Sequence, residues 1–148
     1  MAQTIRFCTS ADGVRLAFGV HGSGPPLVRV ATWMTHLQYD WDSPLWHHWL
    51  DALAEGRTPL RYDERGSGVS DRDVTRFSID AWVEDLEVVV DAAGLERFSL
   101  LGSGSGICVP RWIGVRRGRS GRRTRSTPGA GTLSRQVTWR GDRSRERG

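Results

Sequence analysis

The chain has no lysine and no asparagine, so all 21 of its basic side chains are arginine. Codons for Arg, Gly, Ala and Pro are rich in G and C, and a GC-rich coding sequence accounts for this bias. Cysteine is scarce. Cys8 and Cys108 stand 100 positions apart, a spacing that suits neither a disulfide framework nor a paired metal or redox motif. Long apolar runs are absent too. None approaches the roughly 18 residues that a membrane-crossing helix requires, so no membrane association is expected. The opening Met-Ala-Gln-Thr-Ile-Arg lacks the charged-then-apolar layout of a signal peptide, and a cytoplasmic location is expected.

What is present is unevenly spread. Residues 1–106 hold 9 Arg against 15 acidic side chains, a net of −6, whereas residues 107–148 hold 12 Arg against only Asp142 and Glu146, a net of +10. The overall +4 describes neither region. Such asymmetry marks either a basic arm for an anionic partner or two segments of different origin. The expected division is a folded region over 1–106 and a basic, low-complexity tail over 107–148. Lacking apolar periodicity, that tail is expected to be disordered or the product of a frameshift.

The first region alternates in period. Thr4 to Thr9 and Val14 to Val20 read as strands joined by Ser10-Ala11-Asp12-Gly13, a turn whose Gly accepts positive φ. Leu27 to Ala31 is a third strand after a Gly/Pro loop. Ser43-Pro44 begins a helix with Leu45, Trp46, Trp49, Leu50 and Leu53 on one face. Leu60 to Tyr62 is a short strand. Ile79, Trp82, Val83, Leu86 and Val90 recur at helical spacing between a capping Ser78 and a terminating Gly94. Phe98 to Leu101 is a strand that runs into Gly102-Ser103-Gly104-Ser105-Gly106. This order predicts an α/β fold, a mostly parallel sheet with helices on its faces.

The most specific run is Asp63-Glu64-Arg65-Gly66-Ser67-Gly68-Val69-Ser70. On its own it is as readily a polar turn as a functional loop. Taken with His21-Gly22-Ser23-Gly24-Pro25-Pro26-Leu27-Val28 before it and Leu100-Leu101-Gly102 after it, the stretch from Ile5 to Gly106 resembles the first part of the α/β-hydrolase superfamily. Ser10-Ala11-Asp12-Gly13-Val14 and Arg61-Tyr62-Asp63-Glu64-Arg65-Gly66 are most similar to a bacterial subgroup. That subgroup includes free-standing hydrolases and domains fused to nucleotide cyclases or transcriptional regulators. The resemblance covers about 40% of the length such a domain needs.

The resemblance implies a serine nucleophile in G-x-S-x-G, on a strained strand-to-helix turn. The outer glycines match Gly102 and Gly106, but Gly104 fills the serine slot. Ser103 and Ser105 flank it, and Ser105 is the candidate catalytic residue. The family's second oxyanion donor aligns with Trp33. A serine nucleophile needs a histidine base later in the chain, oriented by an acid. The histidines are His21, His36, His47 and His48, and none lies beyond the bend. No cofactor is implied. His47-His48 gives no metal site, because adjacent helical residues project about 100° apart and no third ligand is evident.

The tail admits two origins. Twelve guanidinium groups with Trp112 and Trp139 suit a nucleic-acid-binding arm. Alternatively, read one base forward, its degenerate codons permit Ala-Tyr-Ala-Ala over 114–117 and Pro-Asp-x-Val over 120–123, a pairing similar to the family's own sequence just past the nucleophile turn. The frameshift is the favoured origin. The expected protein is thus a truncated, inactive hydrolase, a small-molecule substrate belonging only to its intact relatives. The alternative is a regulatory or sensor module with an Arg-rich arm for nucleic acid.

Overall fold

A computed structural model describes residues 2–32 and 35–102, together with the backbone of the pair 134–135. The strands β1 (Thr4–Thr9) and β2 (Arg15–Val20) form the expected hairpin, with Gly13 at φ 86° in its turn. Then come β3 (Pro26–Arg29), α1 (Leu37–Asp42), α2 (Pro44–Ala54), β4 (Thr58–Tyr62), α3 (Ile79–Ala92), β5 (Ser99–Leu101) and β6 (Ser134–Arg135). They build one mixed sheet in the order β1-β2-β4-β3-β5-β6, with β3 parallel to both β4 and β5. This is the α/β architecture that the alternating periods predict, with parallel pairing confined to β3, β4 and β5 among the described strands.

The sheet has two unlike faces. Leu16, Phe18, Val28, Val30, Leu60, Tyr62 and Leu100 point to one side and pack with Val83, Leu86, Val89 and Val90 of α3. Side chains one position along each strand point the other way. There Ala17, Leu27 and Arg61 lie beneath α1 and α2, whose buried contributions are Leu37, Leu50 and Ala54. Ser78 caps α3 by accepting from the Ala81 N–H at 3.1 Å, and Ser43 caps α2 by accepting from Leu45 N–H at 3.3 Å. Both were legible from sequence.

Three features go beyond or depart from the sequence reading. The helix α1 carries no Ser, Thr, Asp or Asn at its start. The imidazole of His36 caps it instead, its Nδ1 accepting from Tyr39 N–H at 3.2 Å. Next, the apolar face read for α2 is only partly buried. Leu45 is 69% and Trp46 49% exposed, because the helix meets β4 chiefly through its second half, and Trp46 rests edge-on against Trp49. Last, Ser134 and Arg135 form the strand β6. Ser134 and Arg135 pair antiparallel with Leu101 and Leu100, so β5 has a strand on each side. The reason is general: an unpaired strand edge offers N–H and C=O groups to any extended segment.

Candidate functional site

Because β3 is flanked by β4 and β5, the chain steps from β3 to one neighbour and then returns past it to the other. The connections through α1–α2 and through α3 therefore leave in opposite directions, opening a crevice at the carboxyl ends of β3 and β5. In open α/β sheets that is where ligands bind. The two ends are held together by Val30 N–H donating to Leu101 O at 2.9 Å. Gly102 is buried where β5 leaves the sheet.

The loop after β4 organises this rim. Asp63 is fully buried, and its carboxylate accepts Leu37 N–H at 3.0 and 3.1 Å and Val69 N–H at 2.8 Å. One carboxylate thus fixes both its own loop and the far end of the loop after β3. Burial raises its affinity for a proton, and the two backbone donors oppose that rise. Gly68 sits at φ 58°, and a Cβ there would collide with the Asp63 carboxylate. Ser70 Oγ donates to Asp63 O at 2.7 Å and accepts from Ala17 N–H at 2.9 Å, tying the loop to β2.

Arg65 is the hub beside it, its side chain wholly buried. Nε and Nη2 donate to the two oxygens of Asp85 at 2.7 and 2.6 Å, a bidentate pair with α3. Nη1 reaches Asp12 Oδ2 at 2.7 Å and Arg76 O at 3.1 Å. The guanidinium holds Asp12 far below the usual carboxylate range, through the hydrogen bond first, while burial dominates at Asp85 and pushes it up. Of the motif Asp63-x-Arg65-Gly66-x-Gly68-x-Ser70, every side chain with a contact serves to fasten loops. Sequence alone left that role open, since Asp12 and Asp85 lie far from Arg65 along the chain. A carboxyl and a phenol group at the rim also escaped notice. Glu64 is half-buried with its pKa raised by burial and by Asp85, and Tyr62 is raised by burial while hydrogen-bonded to the Ala31 backbone.

The structure brings β5 to the crevice, but Gly104, Ser103 and Ser105 lie outside the described residues, as does Trp33. Thr32 and Thr35, on either side of Trp33, are joined by Thr35 Oγ1 donating to Thr32 O at 3.0 Å. The histidines are engaged elsewhere. His21 is buried under α2, His36 caps α1, His47 faces Trp41 O at 2.6 Å and His48 is exposed. Among the described residues no group of three or more His, Cys, Asp or Glu is placed to hold a metal, and no helix is long and apolar enough to cross a membrane.

Known proteins share this arrangement. No family model matches the chain. It is 31% identical over 91 residues to a protein of Azorhizobium caulinodans named as a carbamate hydrolase, RutD, a match covering 62% of this chain and 32% of that one. A hydrolase of Pseudomonas aeruginosa PA01 superposes with a TM-score of 0.66 at 28% identity, over 77% of this chain and 42% of the other. The epoxide hydrolase CorEH does so with a TM-score of 0.64 at 26% identity, over 78% and 38%. Over this stretch the chain has the α/β-hydrolase fold and is similar to these hydrolases. The epoxide hydrolase VrEH1 of Vigna radiata, at 20% identity and a TM-score of 0.64 over 78% and 36%, shares the fold of this α/β-hydrolase region. The chain spans about a third of the length of the curated relative and about two fifths of the hydrolase structures.

Proposed function

We propose that this chain is a partial α/β-hydrolase that carries the family's scaffold at the strand ends but catalyses no hydrolysis by itself. The observation that carries this reading is chemical. At the bend after Leu101 the nucleophile slot is Gly104, and no imidazole comes after it in the chain. A serine hydroxyl without an adjacent base is a weak nucleophile at neutral pH. The three histidines with ring contacts among the described residues point at Leu50 O, Tyr39 N and Trp41 O, which supports the same reading. Intact relatives would hydrolyse ester- or amide-type bonds through serine. A relative named for carbamates and neighbours named for epoxides are consistent with a rim that serves several small-molecule substrates.

The test is turnover of p-nitrophenyl acetate by the purified chain. The expected result is no rate above buffer and no change in Ser105→Ala. Saturable turnover abolished by Ser105→Ala overturns the proposal. The reversal of charge at Gly106 supports a shifted reading frame as the origin of residues 107–148, and resequencing the locus through the codons for Leu101 to Pro128 tests it. The net +10 of those residues favours one further reading, a regulatory module with a nucleic-acid-binding arm. It requires salt-sensitive DNA binding that disappears on deleting residues 107–148.

A further inference from the structure

A row of three rings, each meeting the next edge to face, joins the end of β2 to the α1–α2 corner. His21 comes directly after β2 and is 3% exposed. Its ring meets Trp41 edge-on at 5.0 Å between centroids, and Trp41 in turn meets the His47 ring at 4.8 Å. Hydrogen bonding fixes both tautomers, because a carbonyl can only accept. His21 Nε2 lies 3.1 Å from Leu50 O and must carry the hydrogen. His47 Nδ1 lies 2.6 Å from Trp41 O and must carry it there.

The two nitrogens that do not face a carbonyl lie in opposite surroundings. His21 Nδ1 is enclosed and has no hydrogen-bond partner. A proton added there would place an unpaired charge in the interior, beside the Arg61 guanidinium on β4. His47 Nε2 instead stands 3.6 Å from Asp51 Oδ2, one turn along α2. The charged groups around His21 are thus His47 and Asp51 on α2 and Arg61 on β4, with Asp40 of α1 bonded to Arg61 at 3.2 Å.

We propose that His21, packed with His47 on either side of Trp41, is a pH-operated latch that holds α2 to the sheet at neutral pH and frees it, still helical, on acidification. Burial, first among the causes, lowers His21 below its ordinary 6.5. A neutral buried imidazole contributes its full stability above that value. The contribution falls as pH drops below 6.5 and through the lower value of the folded state. The latch matters to the crevice because α1 and α2 come after the loop that leaves β3.

Amide hydrogen exchange on the full chain at pH 7.5 and 5.5, corrected for intrinsic rates, tests this. One linked proton makes opening of 44–54 about tenfold easier for each pH unit below 6.5, until His21 titrates in the folded state, while α3 amides keep their protection. In His21→Gln, whose amide can still donate to Leu50 O but does not titrate, the pH dependence of α2 disappears. Equal acceleration of α2 and α3 in the wild type overturns the proposal, as does acceleration that persists in His21→Gln. Should that variant fail to fold, imidazole NMR of the wild type decides. A His21 midpoint clearly below 6.5 supports the latch, and one at or above 6.5 overturns it.

Discussion

The two faces of the sheet are built from the same strands yet by different chemistry. Toward α3 the strands present Leu, Val, Phe and Tyr, and the charges buried with that layer, Arg65 and Asp85, are paired with each other. Toward α1 and α2 they present Arg61, and next to it Arg29, whose guanidinium lies 4.8 Å from the Trp49 ring centroid. The comparison teaches that adjacent residues along a strand can carry separate tasks. One register supplies the burial that holds the fold, and the other supplies polar groups that set loop positions and respond to solvent conditions.

Substitutions can break or sharpen that contrast. The largest effect is expected at the border of the apolar face, from Arg65→Met. It leaves Asp85 buried and uncompensated, and urea unfolding is expected to report a loss of about 3–5 kcal/mol. Leu86→Ala, in the middle of α3, is expected to cost about 2–5 kcal/mol in the same measurement by removing packed methyl groups. On the polar face, Asp40→Asn removes the carboxylate that bonds Arg61 at 3.2 Å. Because Arg61 keeps Gln3 and Leu37 O, the expected cost is about 1.5–3 kcal/mol. A loss there as large as at Arg65 would mean that the two faces carry equal weight. Ser78→Ala removes one cap from α3 and should lower stability by about 1 kcal/mol, seen as a small drop in Tm. Trp46→Gln, at a half-exposed site of α2, should shift stability by about 0.5 kcal/mol or less in either direction.

Local order was largely legible in the sequence. The hairpin at Asp12-Gly13, the cap at Ser78 and the stop at Gly94 each stem from a residue whose preference is intrinsic and needs no partner. The elements that escaped are those whose cause is distant. Nothing near His36 marks it as a cap, and Leu45 and Trp46 obey helical spacing although no strand lies beneath them. The rim was legible as a family signature but not as a mechanism. Arg65 finds Asp12 and Asp85 only once the hairpin and α3 have come together, and Asp63 serves Leu37 through space. The catalytic candidates, Ser105 and Trp33, rest on alignment with a motif and fall outside the described residues.

The Arg65 hub carries a consequence for how such a chain assembles during synthesis. Its acceptors come from residues 12, 76 and 85, so the guanidinium has nowhere to settle until the whole of that span has left the ribosome. The hairpin can zip early from its own turn, but the layer that joins it to α3 must wait for the last acceptor to emerge. Translation order therefore sets a late closing step, and a pause in synthesis before Asp85 would leave a cation exposed that the finished protein keeps wholly out of water.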